Sequence, residues 1–144
     1  MNRSPSRRPF RVGRSKSGLG LFAIAPIKKG AFIVRYAGRR ISNAEADASE
    51  NQYLFELNVR WTIDGKSRKN VARYVNHSCR PNAEVYFVGH MIKIRATRNI
   101  KPGDEIAYDY GRDHFDAYIK PKGCKCMKCN EKRREARRRS RHRR

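Results

Sequence analysis

The apolar residues of this chain come in runs of four to seven, each closed by a turn signal, and that punctuation restricts the fold more than any other feature. The runs read "LFAIA", "AFIVRYA", "YLFEL", "WTID", "AEVYFV", "MIKIRAT" and "EIAYDY"; between them stand "IKKG", "DGKS", "VGH" and "IKPGDE". Segments this short, rich in β-branched and aromatic residues, predict a mainly β body of many short strands with few short helices. The clearest hairpin is "AEVYFVGHMIKI", which alternates on both sides of Gly89 and His90. A short helix is signalled by "SNAEADA", where Ser42 and Glu45 have capping-box spacing, and "NVARYVNH" allows one further helical turn. The similar segments "IKKGAFI" at Ile27 and "IKPGDEI" at Ile100 are two like turns and not a repeat architecture.

A chain of 144 residues makes one domain that buries roughly two thirds of its unfolded surface. Its net charge of +22 is uneven: residues 1–16 carry six Lys/Arg and no acid, residues 131–144 carry nine against two acids, and +9 remains between them. Segments 1–9 and 131–144 are expected to be basic, disordered tails, with order beginning near Phe10. Such a field favours nucleic acid, nucleoprotein or another anionic surface as a neighbour, although each tail alone reads equally as a solvated charge run. "MNRSPSRRPF" lacks the apolar stretch of a secretory signal, and no apolar run approaches membrane-spanning length, which points to an intracellular protein without membrane contact. In that reducing setting the four cysteines are better explained by metal than by disulfides.

"KSGLGLFA" places Gly18, Gly20 and Ala23 in the G-x-G-x-x-G/A pattern of dinucleotide-binding turns. That pattern requires a helix to open behind the glycines, and here Pro26 and a turn follow instead. The glycines then mark a backbone lying close to a ligand, or a tight turn between strands.

The stretch "RYVNHSCRPN", Arg73 to Asn82, crowds amide, imidazole and thiol groups between an apolar run and a proline. Its Cys79 precedes "CKCMKC", whose Cys124, Cys126 and Cys129 form a trio that one distant partner completes into a tetrahedral four-thiolate zinc site. In "EIAYDYG", strand alternation puts Tyr108 and Tyr110 on one face. Each cluster by itself also reads as a core histidine, buried free thiols or a packed aromatic pair.

Taken together and in this order, the motifs resemble the SET-domain protein lysine methyltransferases. "SGLG", "FIVRYAG", "NVARYVNHSCRPN", "IKPGDEIAYDYG" and "GCKCMKC" are similar to that family's glycine motif, first channel strand, cofactor motif, C-terminal motif and post-SET cysteine cluster. The likeness runs from Phe10 to Asn130, implying a SET domain at 10–111 and a post-SET zinc-binding segment at 112–130. The sequence departs from the family pattern in three places: no cysteine-rich segment precedes the domain, the central insert is short, and Ala83 follows the asparagine where cysteine is frequent.

The resemblance implies a fold of short curved sheets in which the "NHSC" segment threads a loop closed by the C-terminal motif, a pseudoknot. It implies S-adenosylmethionine as cofactor, contacted by Ser17, Gly18, Leu19 and Gly20, with Tyr53, Arg73, Asn76 and His77 completing the pocket. Tyr36, Tyr108 and Tyr110 would wall a lysine channel, with Tyr110 as the catalytic tyrosine. Cys79, Cys124, Cys126 and Cys129 would hold structural zinc and fold "RDHFDAYIKPKG" over the channel. Tyr108 matches the tyrosine form of the family's product switch, which implies mainly monomethyl-lysine. The implied substrate is a lysine on a histone-like or other nucleic-acid-associated protein, in a nucleus or chromosome, or in the cytoplasm or nucleoid if the source is bacterial; the small chain favours a bacterial or viral source. A non-catalytic SET-like zinc module that binds nucleic acid or nucleoprotein is the alternative. It explains the charge and the cysteines but leaves Tyr108, Tyr110 and the cofactor-like loop without a purpose.

Overall fold

The structure, a computed structural model, describes residues 8–16, 18–111 and 123–142. Among the described residues ten short strands form three small sheets, as the punctuated runs lead one to expect. In the first sheet, β1 (Phe10–Ser15) and β2 (Gly18–Ala23) make an antiparallel hairpin pairing Phe10 with Ala23 and Ser15 with Gly18. Next to β2 lies β10 (Glu105–Tyr108), antiparallel, and beyond it β7 (Asn76–His77), parallel to β10. The second sheet has the order β3 (Phe32–Tyr36), β9 (Met91–Ala96), β8 (Ala83–Val88), and the third β4 (Arg39–Ser42), β6 (Trp61–Asp64), β5 (Leu54–Glu56).

Local chemistry accounts for these elements. β9 alternates strictly, burying Ile92, Ile94 and Ala96 and leaving Met91, Lys93 and Arg95 partly exposed, and it pairs with β8 from Ala83↔Ala96 to Val88↔Met91 around the Gly89 turn. Helix α1 (Asn43–Asp47) starts where the capping box predicts, with the Ser42 hydroxyl accepting the Glu45 N–H at 3.1 Å. The two look-alike turns meet: Ile27 and Ile100 exchange backbone hydrogen bonds of 3.0 and 2.8 Å. Leu21, Val75, Ile92, Ile94, Ile100 and Ile106 form the fully buried centre, where truncating one isoleucine to alanine costs about 2–5 kcal/mol.

The core carries an interlock. A 3-10 turn (Val71–Tyr74) leads into β7, and the chain that follows is laced to β10. The Ser78 N–H donates to the Tyr108 carbonyl at 3.1 Å, and the buried Asn82 side chain accepts the Ala107 N–H and donates to the Glu105 carbonyl, both at 2.9 Å. This is the crossing of "NHSC" and the C-terminal motif that the resemblance implies.

Gly18 and Gly20 lie in the first half of β2, and the hairpin turn precedes them. At Gly20 an added Cβ would sit 2.6 Å from Glu105 Oε2 and 3.1 Å from Asn76 Nδ2, so the position has no room for a side chain. The expected disordered tail 131–144 is instead helical through His142, in α2 (Met127–His142). Arg, Lys, Glu and Ala are strong helix formers, and the start of α2 is fastened down. The Asn130 N–H donates to the Cys126 carbonyl at 2.9 Å, Arg133 donates to the Cys124 carbonyl, and Glu131 pairs with Arg80 at 3.3 Å. Among the described residues no helix is long and apolar enough to cross a membrane.

Candidate functional site

A cleft of about 1690 Å³ opens where β2, the 3-10 turn, β7, β10 and the cysteine segment converge. Leu19, Tyr36, Tyr53, Arg73, Asn76, His77, Tyr108, Tyr110, Cys124 and Cys126 all border it. Ser17 lies outside the described residues, and Gly18 and Gly20 support the cleft from β2 without lining it.

The three tyrosines come from separate elements. Tyr36 ends β3, is 5% exposed, and donates its hydroxyl to the Tyr53 carbonyl at 2.7 Å. Tyr108 ends β10 and is 6% exposed. The strand stops there, so Tyr110 takes its place beside Tyr108 through side-chain contacts: the rings lie 4.9 Å apart, and the Tyr110 hydroxyl donates to the Val75 carbonyl. Burial holds all three phenols well above their ordinary pKa. Asp64 and Tyr53 add to the rise at Tyr36, neighbouring tyrosines do so at Tyr108, and Tyr36, Tyr53 and Glu105 do so at Tyr110. They are therefore neutral hydrogen-bonding groups at neutral pH.

His77 joins the tyrosines to the cysteines. Its Nδ1 accepts the Tyr110 backbone N–H at 3.1 Å, which leaves the proton on Nε2, 3.3 Å from Cys79 Sγ. The Asp109 carboxylate is 3.7 Å from Nδ1, too far for a hydrogen bond. On the other side, Asn76 Nδ2 donates to the Leu19 carbonyl at 2.9 Å and to Glu105 Oε2 at 2.8 Å, and Ser15 Oγ donates to Glu105 Oε1 at 2.8 Å. Glu105 is thus a site residue that the sequence reading missed. The signal was a carboxylate opening an otherwise apolar strand, two residues before Ala107 and on the same face as it.

Arg73 stacks 4.2 Å above the Tyr53 ring and donates to the Lys66 carbonyl, while its Nε is buried without a hydrogen-bond partner among the described residues. A buried donor with no partner among the described residues, at the edge of a cleft, suits an anionic ligand group.

At the far end, the four Sγ atoms of Cys79, Cys124, Cys126 and Cys129 lie within 4.8 Å of one another, with Cys79 and Cys129 3.8 Å apart. Four sulfurs about 2.3 Å from one ion are about 3.8 Å apart, so the cluster has the dimensions of a tetrahedral zinc site. Burial pushes the Cys124 thiol up to about 11 against the opposing Cys126 N–H, and it raises Cys79 further, with Cys129, Cys126 and Cys124 adding to the rise. Burial also opposes ionisation of Cys126, yet N–H donors at Cys129 and Cys79 bring that thiol down to about 6. Four adjacent sulfurs ionise together only around a cation.

The SET domain description matches residues 18–111, which is most of the chain. The chain belongs to the SET-domain family. Within that family it is 34% identical over 122 residues to the mouse (Mus musculus) histone-lysine N-methyltransferase EHMT1, covering 76% of this chain and 9% of the mouse protein. It is 35% identical over 136 residues to Drosophila melanogaster histone-lysine N-methyltransferase Set2, covering 81% and 6%. A probable histone-lysine N-methyltransferase of Caenorhabditis briggsae, set-23, is 36% identical over 120 residues, covering 71% and 50%. This SET domain thus spans half or less of each of these relatives. Among solved structures it is similar to a ctPRC2 complex in an autoinhibited conformation bound to S-adenosylmethionine, with a TM-score of 0.63 and 29% identity, covering 74% of this chain and 15% of that one.

Proposed function

We propose that this SET-domain chain transfers a methyl group from S-adenosylmethionine to the side-chain amine of a lysine on a protein substrate. The observation that carries the reading is the convergence of Tyr36, Tyr108 and Tyr110 with Asn76, His77 and Arg73 on one cleft. The residues present fit the cofactor: Arg73 Nε, which has no partner among the described residues, is a donor suited to a carboxylate, and Asn76, Leu19 and His77 offer polar atoms along the cleft. Bound S-adenosylmethionine supplies an electrophilic methyl group on a sulfonium.

What remains is the work of this chain. A free lysine has a pKa near 10.4, so only about one in a thousand is neutral at roughly pH 7.4. Three buried phenols around a narrow channel desolvate the incoming ammonium and favour its neutral form. Tyr110 spends its hydroxyl proton on the Val75 carbonyl, so toward the channel its oxygen is an acceptor that aligns the amine. Its raised pKa makes it a poor proton sink; water takes the proton, and positioning supplies most of the rate. Zinc held by Cys79, Cys124, Cys126 and Cys129 would have its four positions filled by thiolates, so it would serve structure and not the transfer.

The substrate of this reading is histone-like or another nucleic-acid-associated protein, and the work is done on a chromosome or comparable nucleoprotein. A body this basic repels a free basic peptide, and phosphate between them removes the conflict. The test is incubation of the chain with isotopically labelled S-adenosylmethionine and a nucleoprotein extract, followed by peptide mass spectrometry. A labelled methyl-lysine that disappears in Tyr110→Phe is the expected result; binding of nucleic acid with no labelled lysine in any fraction would favour the non-catalytic module.

A further inference from the structure

We infer that α2 is a preformed, metal-mounted arm for duplex DNA, which deepens the nucleoprotein reading given above. The helix carries eight Lys/Arg and two acids over 16 residues, so it is about 24 Å long with a net charge of +6. Its residues from Glu131 to Ser140 are all exposed. At about 100° per residue, Arg134, Arg137 and Arg138 fall within one arc of about 100°, forming a continuous guanidinium row. Arg133 stands outside that row, its guanidinium bonded to the neutral oxygens of Asn130 and the Cys124 carbonyl. Glu131 is likewise engaged by Arg80.

Two physical arguments single out the duplex. Beyond Cys129 the helix holds one apolar residue, Ala136, and so lacks the apolar face that a membrane-surface helix needs. A regular α-helix fits the roughly 12 Å major groove of B-DNA, whereas the major groove of A-form RNA is too narrow for side chains to read.

The mounting matters as much as the charge. Arg133–Arg137 and Arg134–Arg138 are like-charge pairs at i,i+4, which oppose helix formation, and an isolated helix of this length is marginal in water. Cys129 lies in its first turn and belongs to the sulfur cluster, with Asn130 Nδ2 bonded to the Lys125 carbonyl at 3.0 Å. Metal held by the four sulfurs therefore nucleates the helix that presents the row, and it ties the start of that helix to the cysteine segment that borders the cleft.

The test measures fluorescence anisotropy of a duplex DNA against salt, and helicity by circular dichroism, on the full zinc-loaded chain. Replacing Arg134, Arg137 and Arg138 with glutamine, itself a good helix former, should keep helicity and methylation of a short peptide. It should lower duplex affinity at least ~10-fold and reduce the slope of log affinity on log salt by about 2.7. Chelation should remove helicity and duplex affinity together. Unchanged duplex affinity in the helix-depleted chelated chain would overturn the proposal in favour of a disordered polycation. Tighter binding to phosphatidylserine vesicles, or equal competition by polyglutamate, would overturn it in favour of another partner. Peptide methylation is read separately on the zinc-loaded parent and triple variant, so none of these outcomes bears on the transferase reading.

Discussion

The two ends of the cleft are built by different forces. At one end Tyr36 and Tyr108 are buried in a core of Leu21, Ile92, Ile94 and Ile106, and their hydroxyls sit where packing puts them. At the other end, the buried Cys124 and the partly exposed Cys79, Cys126 and Cys129 cluster together and carry an exposed basic helix. One imidazole spans the difference, with Nδ1 on Tyr110 and Nε2 on Cys79. The lesson is that the tyrosine end should survive most perturbations of solution conditions, while the sulfur end is conditional on metal.

The largest expected effect separates the ends outright. Cys79→Ser, or zinc chelation, should cost about a hundredfold in methyl transfer by weakening cofactor and peptide binding together and releasing α2, since structural metal binding is folding free energy. The β core should still melt cooperatively in far-ultraviolet circular dichroism, within a few degrees of the parent. A verifiably zinc-free sample with full activity would remove the sulfur end from the site.

A second, smaller effect belongs to the tyrosine end. Glu105→Ala strips the shared acceptor from Ser15 and Asn76, and because both donors are only partly buried the loss is at the low end of the cost of an unsatisfied donor, about 1 kcal/mol. Calorimetry should show S-adenosylmethionine affinity falling about tenfold, with Glu105→Gln recovering part of it. An unchanged affinity in Glu105→Ala would confine that carboxylate to the fold.

The sequence made most of this comparison readable, for reasons that differ by residue. The β8–β9 hairpin and the Ser42 cap were legible because alternation and capping are local rules. The tyrosines and cysteines were legible because their chemistry is scarce and their order is distinctive. β1 escaped because "FRVGRS" alternates with arginine and is not an apolar run. Glu105 escaped because its partners, Ser15 and Asn76, lie 90 and 29 residues away in sequence. The α2 helix escaped because composition alone makes a charge run look disordered, and its anchor is tertiary.

Alkaline stability gives a gentler contrast. Tyr36, Tyr108 and Tyr110 have folded pKa values raised above their ordinary value near 10, mainly by burial. The unfolded chain loses these protons first, so their contribution is fully present below about pH 10. Above it, stability falls by up to ~1.4 kcal/mol per pH unit per phenol. Denaturant melts between pH 8 and 11 should show this fall, and a Tyr36→Phe chain should show less of it.

The smallest effect on rate concerns product. If Tyr108 acts as the product switch that the family resemblance implies, Tyr108→Phe frees volume for a methylated amine, so the parent should make mainly monomethyl-lysine and the variant more di- and trimethyl-lysine, at a rate within about threefold. Intact-mass analysis of a peptide driven to completion reads the ratio; abundant trimethyl-lysine from the parent would contradict the switch role of Tyr108.

The central claim is that the cleft at the end of β10 performs the transfer, with Tyr110 facing the reacting amine. It is tested most directly by pairing two readings on Tyr110→Phe: S-adenosylmethionine affinity by calorimetry and single-turnover transfer to a lysine peptide. The account predicts affinity within twofold of the parent and transfer slower by about a hundredfold, as expected for loss of a positioned hydrogen-bonding group. Transfer at the parental rate, or affinity and rate lost in equal measure, would contradict it.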